Sequence, residues 1–348
     1  MTRKAVALIS GGLDSLLAAR VIQEQGVHVE GINFFTGFCV EGHTHAIRKK
    51  DKDKPKRNNA LWVAEQLGIK LHIVDIVEEY KDVVINPKHG YGANLNPCLD
   101  CKIFMVQQAY QWIRDKGFDF IITGEVIGQR PMSQRKETLP VVARESGADD
   151  LLLRPLCAKN LPPTLPEREG WVDRDRLHDF SGRSRKPQMA LARQYGFEDY
   201  AQPAGGCCFL TDENYSIKLQ DLWTHRGEKR YELDDIMLLK VGRHLRPEGQ
   251  SWKLIIAREE GETRFLSGYK GQFQSLRTLS HGGPLALIDG PTLNDEQIRE
   301  AAAIVARYGQ GKTAPEVELE YSPPGGDGRS VTVAPKAPHE IPQSWYLV

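Results

Sequence analysis

The chain has 348 residues, 40% of them hydrophobic and 26% charged; Lys+Arg and Asp+Glu both total 46, so the formal net charge is zero. That is the composition of a soluble globular protein with room for two domains, and it confines any nucleic-acid contact to a local basic surface. No apolar run approaches the length of a membrane span, and Met1-Thr2-Arg3-Lys4 leads into a short strand instead of a secretory leader. A cytoplasmic protein with no membrane partner is the expectation.

In chain order, residues 5–9 read as a strand, 10–15 as a glycine turn and 16–22 as an amphipathic helix. The turn, Ser10-Gly11-Gly12-Leu13-Asp14-Ser15, is the most informative stretch. Paired glycines turn the backbone sharply and offer bare N–H groups to an anion, and the following helix adds its positive end. Ser10 and Ser15 can donate hydroxyl hydrogen bonds to the same anion. No lysine follows the glycines and the spacing is not G-x-G-x-x-G, so neither a Walker A loop nor a dinucleotide fingerprint is present.

Further along, 27–35 reads as a second strand, 58–67 as a helix, 70–76 as a third strand, 101–116 as a helix, 118–123 as a fourth strand and 151–154 as a short fifth. Alternating strands and helices predict an α/β fold, a doubly wound parallel sheet with ligands beyond the carboxyl ends of its strands. The strand ends are 10–15, 33–38, 75–78 and 124–134. Between them, 43–57 is strongly basic and reads either as a solvated loop or as a phosphate-contacting patch. Four prolines in 155–166 exclude regular structure there, while 171–177 and 185–196 carry helical patterning. From about residue 215 the pattern changes. Residues 234–246, 252–259 and 284–289 look like strands, 295–308 is a helix capped by Asn294, and 316–321 with 329–333 form a hairpin. The expected division is 1–212 and 213–348, the second part a smaller α+β domain.

Six cysteines are present. Cys98-Leu99-Asp100-Cys101 opens a helix, where the terminus lowers thiol pKa values, and Cys207-Cys208 follows Gly205-Gly206. Three readings are open: a [4Fe–4S] cluster on Cys98, Cys101 and Cys207 or Cys208, with one open iron; persulfide chemistry between cysteines; or a closed zinc site on all four. Cys39 and Cys157 read as free structural thiols.

Ser10–Ser15 resembles the PP-loop of the ATP pyrophosphatase superfamily, whose members cleave ATP between the α- and β-phosphates. Asn96-Pro97-Cys98-Leu99-Asp100-Cys101-Lys102 resembles the N-P-C-x-x-C segment of tRNA 2-thiouridylases, and 123–134 resembles the T/S-G-E-x-x-G-Q-x-x-S-Q segment of 4-thiouridine synthetases. Residues 182–185 with 203–207 are similar to a thiouridylase-like branch. Its C-terminal module is similar to the RNA-binding region of NFACT proteins, and 236–243 and 253–258 resemble that module. The chain departs from the better-known families: the PP-loop starts at residue 10, with no ferredoxin-like and THUMP region ahead of it, and there is no rhodanese extension.

The resemblance implies ATP-dependent tRNA uridine thiolation. In that picture Ser10, Gly11, Gly12 and Ser15 cradle the phosphates, Asp14 helps hold Mg2+, and Asn33 and Phe34 lie where the family contacts adenosine. Gly124, Gln129 and Arg130 flank the nucleotide or base. Asp14, Cys98 and Cys207 carry the chemistry, with Cys98, Cys101 and Cys207 as cluster ligands. The partners are tRNA and a sulfur donor, either sulfide or a cysteine desulfurase relay. The alternatives are a PP-loop sulfurtransferase or ligase acting on a small molecule and an RNA-binding adaptor with a degenerate PP-loop; the intact motif argues against the latter.

Overall fold

The computed structural model describes residues 2–40, 58–200 and 207–348. The basic run 43–57 and the glycines at 205 and 206 fall outside them. The described chain divides into two compact units, the first ending at Cys208 and the second beginning at Phe209.

The first unit is built on five strands: β1 (Lys4–Leu8), β2 (His28–Phe35), β3 (Leu71–Asp75), β4 (Phe120–Ile122) and β5 (Leu152–Leu153). They run parallel in the order β3-β2-β1-β4-β5, so β1 is central and the strand order reverses beside it. That reversal is where an open α/β sheet leaves a crevice for a ligand. Side chains of β1 alternate between two cores. Ala5 and Ala7 pack with Leu16, Leu17 and Ile22 of the helix Leu13–Gln23 and with Leu191 of the helix Lys186–Gln194. Val6 packs on the other face with Val106, Ala109 and Ile113 of the helix Cys98–Lys116. Both faces of the sheet are therefore covered, which is why its strands read as continuous apolar runs. This is the doubly wound parallel sheet the alternation predicts.

The second unit carries a six-stranded antiparallel sheet: β6 (Arg243–Leu245), β7 (Lys253–Ile256), β8 (Gln274–Thr278), β9 (Leu285–Asp289), β10 (Val317–Ser322) and β11 (Arg329–Val333), in the order β11-β10-β8-β9-β7-β6. The helix Asp295–Ala306 packs Ile298, Ala301, Ala302 and Val305 into its core, and Asn294 caps it by accepting from the Gln297 N–H.

Several elements differ from the sequence reading. Residues 234–246 are not one strand: Glu232 and Asp235 form a reciprocal capping box that starts the helix Leu233–Leu238, and β6 follows. The helix Glu213–Arg226 is an addition, capped by Asp212 accepting from the Tyr215 N–H and ended by Gly227 at φ +71°. Residues 171–177 hold only a 3-10 turn, Arg174–Arg176. The proline-rich 155–166 stretch contains the short helix Leu165–Arg168, with proline in its first turn where a missing N–H is tolerated.

Candidate active site

At the end of β1 the chain enters the glycine turn. Gly11 has φ +81°, and a Cβ there would lie 2.7 Å from the Asn59 Cβ and 2.9 Å from the Ala60 nitrogen. Glycine thus serves both the left-handed backbone and the close approach of the helix Asn59–Leu67. Gly12 is the extended N-cap of the helix Leu13–Gln23, and no side chain caps that helix. The Ser15 N–H donates to the Gly12 carbonyl at 3.2 Å, which leaves the Leu13 and Asp14 N–H groups for an outside acceptor. Ser15, itself buried, donates to the Gly12 carbonyl at 2.8 Å, and the Ser10 and Ser15 hydroxyls lie 3.4 Å apart. The two serines brace the turn from within.

Asp14 projects from the first turn of the helix. Its Oδ2 accepts from Gln129 Nε2 at 2.6 Å and lies 3.7 Å from the Arg185 guanidinium; its buried Oδ1 has no hydrogen-bond partner. Burial pushes the carboxyl up from the ordinary aspartate range, and Arg185, Gln129, Arg130 and Gln188 only partly offset this. A buried carboxylate oxygen without a donor suits a hard cation. Asp14 is thus the residue that would hold Mg2+, and its environment fits that ion.

The loop after β4 closes over the turn. A Cβ on Gly124 would fall 2.5–2.6 Å from the Asp14 carbonyl carbon and oxygen and the Ser15 nitrogen, so only glycine fits. Beside it, Glu125 is fully buried. Its Oε2 accepts from Thr123 Oγ1 at 2.8 Å and Arg154 Nε at 3.0 Å, with Lys102 Nζ at 3.8 Å. Burial would raise its pKa, but Lys102 and Arg154 outweigh that and hold it below the usual glutamate value. Lys102 belongs to the Cys98–Lys116 helix, so this ion pair fixes the two-cysteine segment against the β4 loop. Farther along, Gly128 N–H donates to the Gln134 carbonyl and Gly182 N–H to the Ile127 carbonyl, both at 2.7 Å, which docks the 182–185 segment on this loop.

The cysteines gather near the same edge. Cys101 is pushed well up by burial and by the charges of Cys207, Cys98 and Cys39, while Tyr80 hydrogen-bonds it. Cys98 Sγ lies 3.3 Å from the Ser133 hydroxyl. Cys207 is exposed as a residue, and its thiol is lowered to about 6 by a hydrogen bond from Cys208, with Arg130 adding its charge and a further hydrogen bond against the partial desolvation of the sulfur. Arg130 therefore acts on both Asp14 and Cys207. Cys39 pairs with Cys208 in an isolated antiparallel bridge. Among the described residues, no three Cys, His, Asp or Glu side chains converge closely enough to hold a metal ion. The donor set for a [4Fe–4S] cluster, or for zinc, is thus not formed, although Cys98, Cys101 and Cys207 lie within electrostatic reach of one another.

The structure thus brings Ser10, Gly11, Gly12, Asp14, Ser15, Gly124, Gln129 and Arg130 to one strand edge. The other two expected nucleotide contacts, Asn33 and Phe34, lie near the end of β2. The Asn33 amide donates to the Ile9 carbonyl at 2.7 Å and ties the ends of β1 and β2 together. Phe34 is 8% exposed, in the core with Val6, Ile32 and Ile76, which leaves only its main chain for a ligand. Sequence reasoning missed Tyr80, Arg154, Arg185 and Gln188 and set Cys39 aside. Arg185 alone carried a signal, in the Gly182–Arg185 stretch.

Two stretches of the chain match known families: residues 3–146 match the family described as the tRNA methyl transferase HUP domain, and residues 242–346 match the NFACT protein RNA binding domain. Over about two-thirds of its length the chain is similar to tRNA-specific 2-thiouridylases. It is 26% identical to MnmA of Petrotoga mobilis, covering 67% of this chain and 62% of that protein. With MnmA of Pelobacter propionicus it shares 31%, covering 66% of each. The match spans less than two-thirds of these relatives' length. A solved 4-thiouridine synthetase–RNA complex with bound ATP is 20% identical over 57% of this chain and 54% of that one, with a TM-score of 0.34. Among the described residues, no helix is long and apolar enough to cross a membrane.

Proposed function

We propose that this chain is an ATP-dependent tRNA sulfurtransferase that thiolates a uridine. The observation that carries the reading is the meeting, at one strand edge, of the uncapped helix start at Gly12, the under-coordinated Asp14 carboxylate and Arg130, which faces both Asp14 and the Cys207 thiol. The helix start and Ser10–Ser15 bind the ATP phosphates. Mg2+ on Asp14 would offset phosphate charge. The uridine oxygen attacks the α-phosphate, forming an adenylated base and releasing pyrophosphate. Free sulfide then displaces AMP directly. Alternatively, the outer sulfur of a Cys207 persulfide, loaded by exchange with the persulfide of a cysteine desulfurase relay, displaces AMP. A second cysteine thiol then attacks the Cys207 sulfur, releasing the thiouridine and leaving a disulfide that an external thiol reduces. Arg130 is placed to stabilise negative charge as it develops between the two. The similarity of residues 242–346 to an RNA binding domain supports tRNA as the substrate.

Sulfur carriage on cysteine is the form these side chains support best, because Cys208 and Arg130 favour the Cys207 thiolate and, among the described residues, no metal-holding group is formed. A [4Fe–4S] cluster on Cys98, Cys101 and Cys207 is the competing form. Anaerobic purification separates them, with about four irons per chain expected only for the cluster.

The deciding experiment incubates the protein with ATP, Mg2+, unmodified tRNA and sulfide, then measures AMP and digests the tRNA for mass spectrometry. AMP formation that depends on tRNA, with a thiouridine in the digest, is expected. AMP formation without tRNA, and tRNA binding that is absent or ignores salt, would move the activity to a small-molecule substrate.

A further inference from the structure

We infer that Gln188 is a positioning residue for the nucleotide site: through Gln129 it orients the Asp14 carboxylate so that Oδ1 stays free for Mg2+-bound ATP, an inference that rests on the nucleotide reading above. Gln188 lies on the helix Lys186–Gln194, far from the glycine turn in sequence, and is 0% exposed. Its Nε2 donates to Gln129 Oε1 at 2.7 Å, and Gln129 Nε2 donates to Asp14 Oδ2 at 2.6 Å.

The direction of this chain is what matters. An amide can turn over and exchange its oxygen for its nitrogen. Asp14, which can only accept, turns the Gln129 NH2 toward Oδ2 and leaves the Gln129 oxygen facing away in a buried site. The Gln188 donor satisfies that oxygen and so holds the amide in this orientation, and Gln188 also lies in hydrogen-bonding reach of the Asp14 carboxyl. Gln129 then satisfies Oδ2, Arg185 lies beside the same oxygen at 3.7 Å, and Oδ1 is the atom left over. Gln188 also has a buried oxygen of its own, Oε1, with no partner. A side chain kept only to hold the helix against the loop would not bury an unsatisfied carbonyl, since an apolar side chain fills the same space without that cost.

The test is a double-mutant cycle on Gln188→Met and Gln129→Met, with Gln188→Ala as a second variant should the methionine pack badly. Binding of α,β-methylene ATP is titrated at a series of Mg2+ concentrations, and each variant's melting temperature is recorded. Gln188→Met is expected to raise the Mg2+ concentration needed for half-maximal binding roughly five- to tenfold, with little change in melting temperature. Together the two changes should add no more than about twofold beyond the worse single one, because they act through one chain. Multiplicative effects, or a lowered melting temperature with an unchanged Mg2+ requirement, would reduce Gln188 to a packing residue. If the unaltered protein binds no nucleotide at any Mg2+ concentration, the nucleotide reading falls first and the positioning role with it.

Discussion

Two half-buried aspartates, one in each unit, show how differently this chain treats partly interior charge. Asp221, in the second unit, gives Oδ1 to Arg246 Nε at 2.7 Å and Oδ2 to Arg246 NH2 at 2.8 Å, with Lys253 Nζ 3.4 Å away. Burial alone would raise its pKa, but these cations more than compensate and hold it low. Asp14, in the first unit, has one oxygen served and one bare, and burial wins. Asp221 is in a finished arrangement that needs nothing else. Asp14 is in an unfinished one whose remaining valence points to a ligand.

The sharpest way to test this contrast is to neutralise each aspartate in turn. Asp14→Asn should cut AMP formation by about a thousandfold, measured by chromatography, since an amide cannot replace charge at a site built for a cation. The same change should leave the urea midpoint unchanged or higher, because it removes an expensive buried charge. Asp221→Asn should do the reverse: little effect on nucleotide chemistry, but a loss of about 3 kcal/mol in urea unfolding, because among the described residues Arg246 is left unpaired and Lys253 keeps only Asp289. A stable Asp221→Asn protein would break the comparison.

A smaller effect is expected at Gly124→Ala. The added methyl would meet main-chain atoms of Asp14 and Ser15, so about 1–3 kcal/mol of stability should be lost, along with nucleotide affinity, both readable from thermal melts with and without ATP. The smallest effect is in the acid limb. Glu125 and Asp221 have lowered folded pKa values, so the stability they contribute is present above their ordinary values near 4.5 and 3.8 and lost as pH falls through the lowered ones. Asp14, raised, has the opposite sign: its penalty is relieved as pH falls through its folded value. Urea midpoints between about pH 2 and 6 should therefore fall more shallowly for Asp221→Asn and more steeply for Asp14→Asn than for the unaltered protein.

The parts of the fold legible in the sequence are those whose signal is local. The glycine turn lies in one run of six residues, and the parallel strands announce themselves as apolar runs because both faces are covered. β8 escaped because its pattern is inverted: Gln274 and Ser275 are buried, the Gln274 amide donating to the Pro291 carbonyl and its oxygen accepting from the Leu293 N–H and the Tyr321 hydroxyl. A strand that buries a fully used amide does not look like a strand. Gln188, Arg154 and Tyr80 were invisible for another reason. Each acts on a motif residue from a distant element, and nothing in the local sequence marks that proximity. Cys39 was discounted as an isolated thiol, yet it sits opposite Cys208.

Gly124 has one more consequence. Because the loop after β4 rests on the Asp14 main chain with no room for even a methyl group, these two stretches have no play between them and must travel as a single block. If the cleft breathes as substrates come and go, the yielding wall is the side of Arg185 and Gln188, which reach Asp14 and Gln129 through side chains alone, while the Gly182–Ile127 main-chain bond holds the start of that segment.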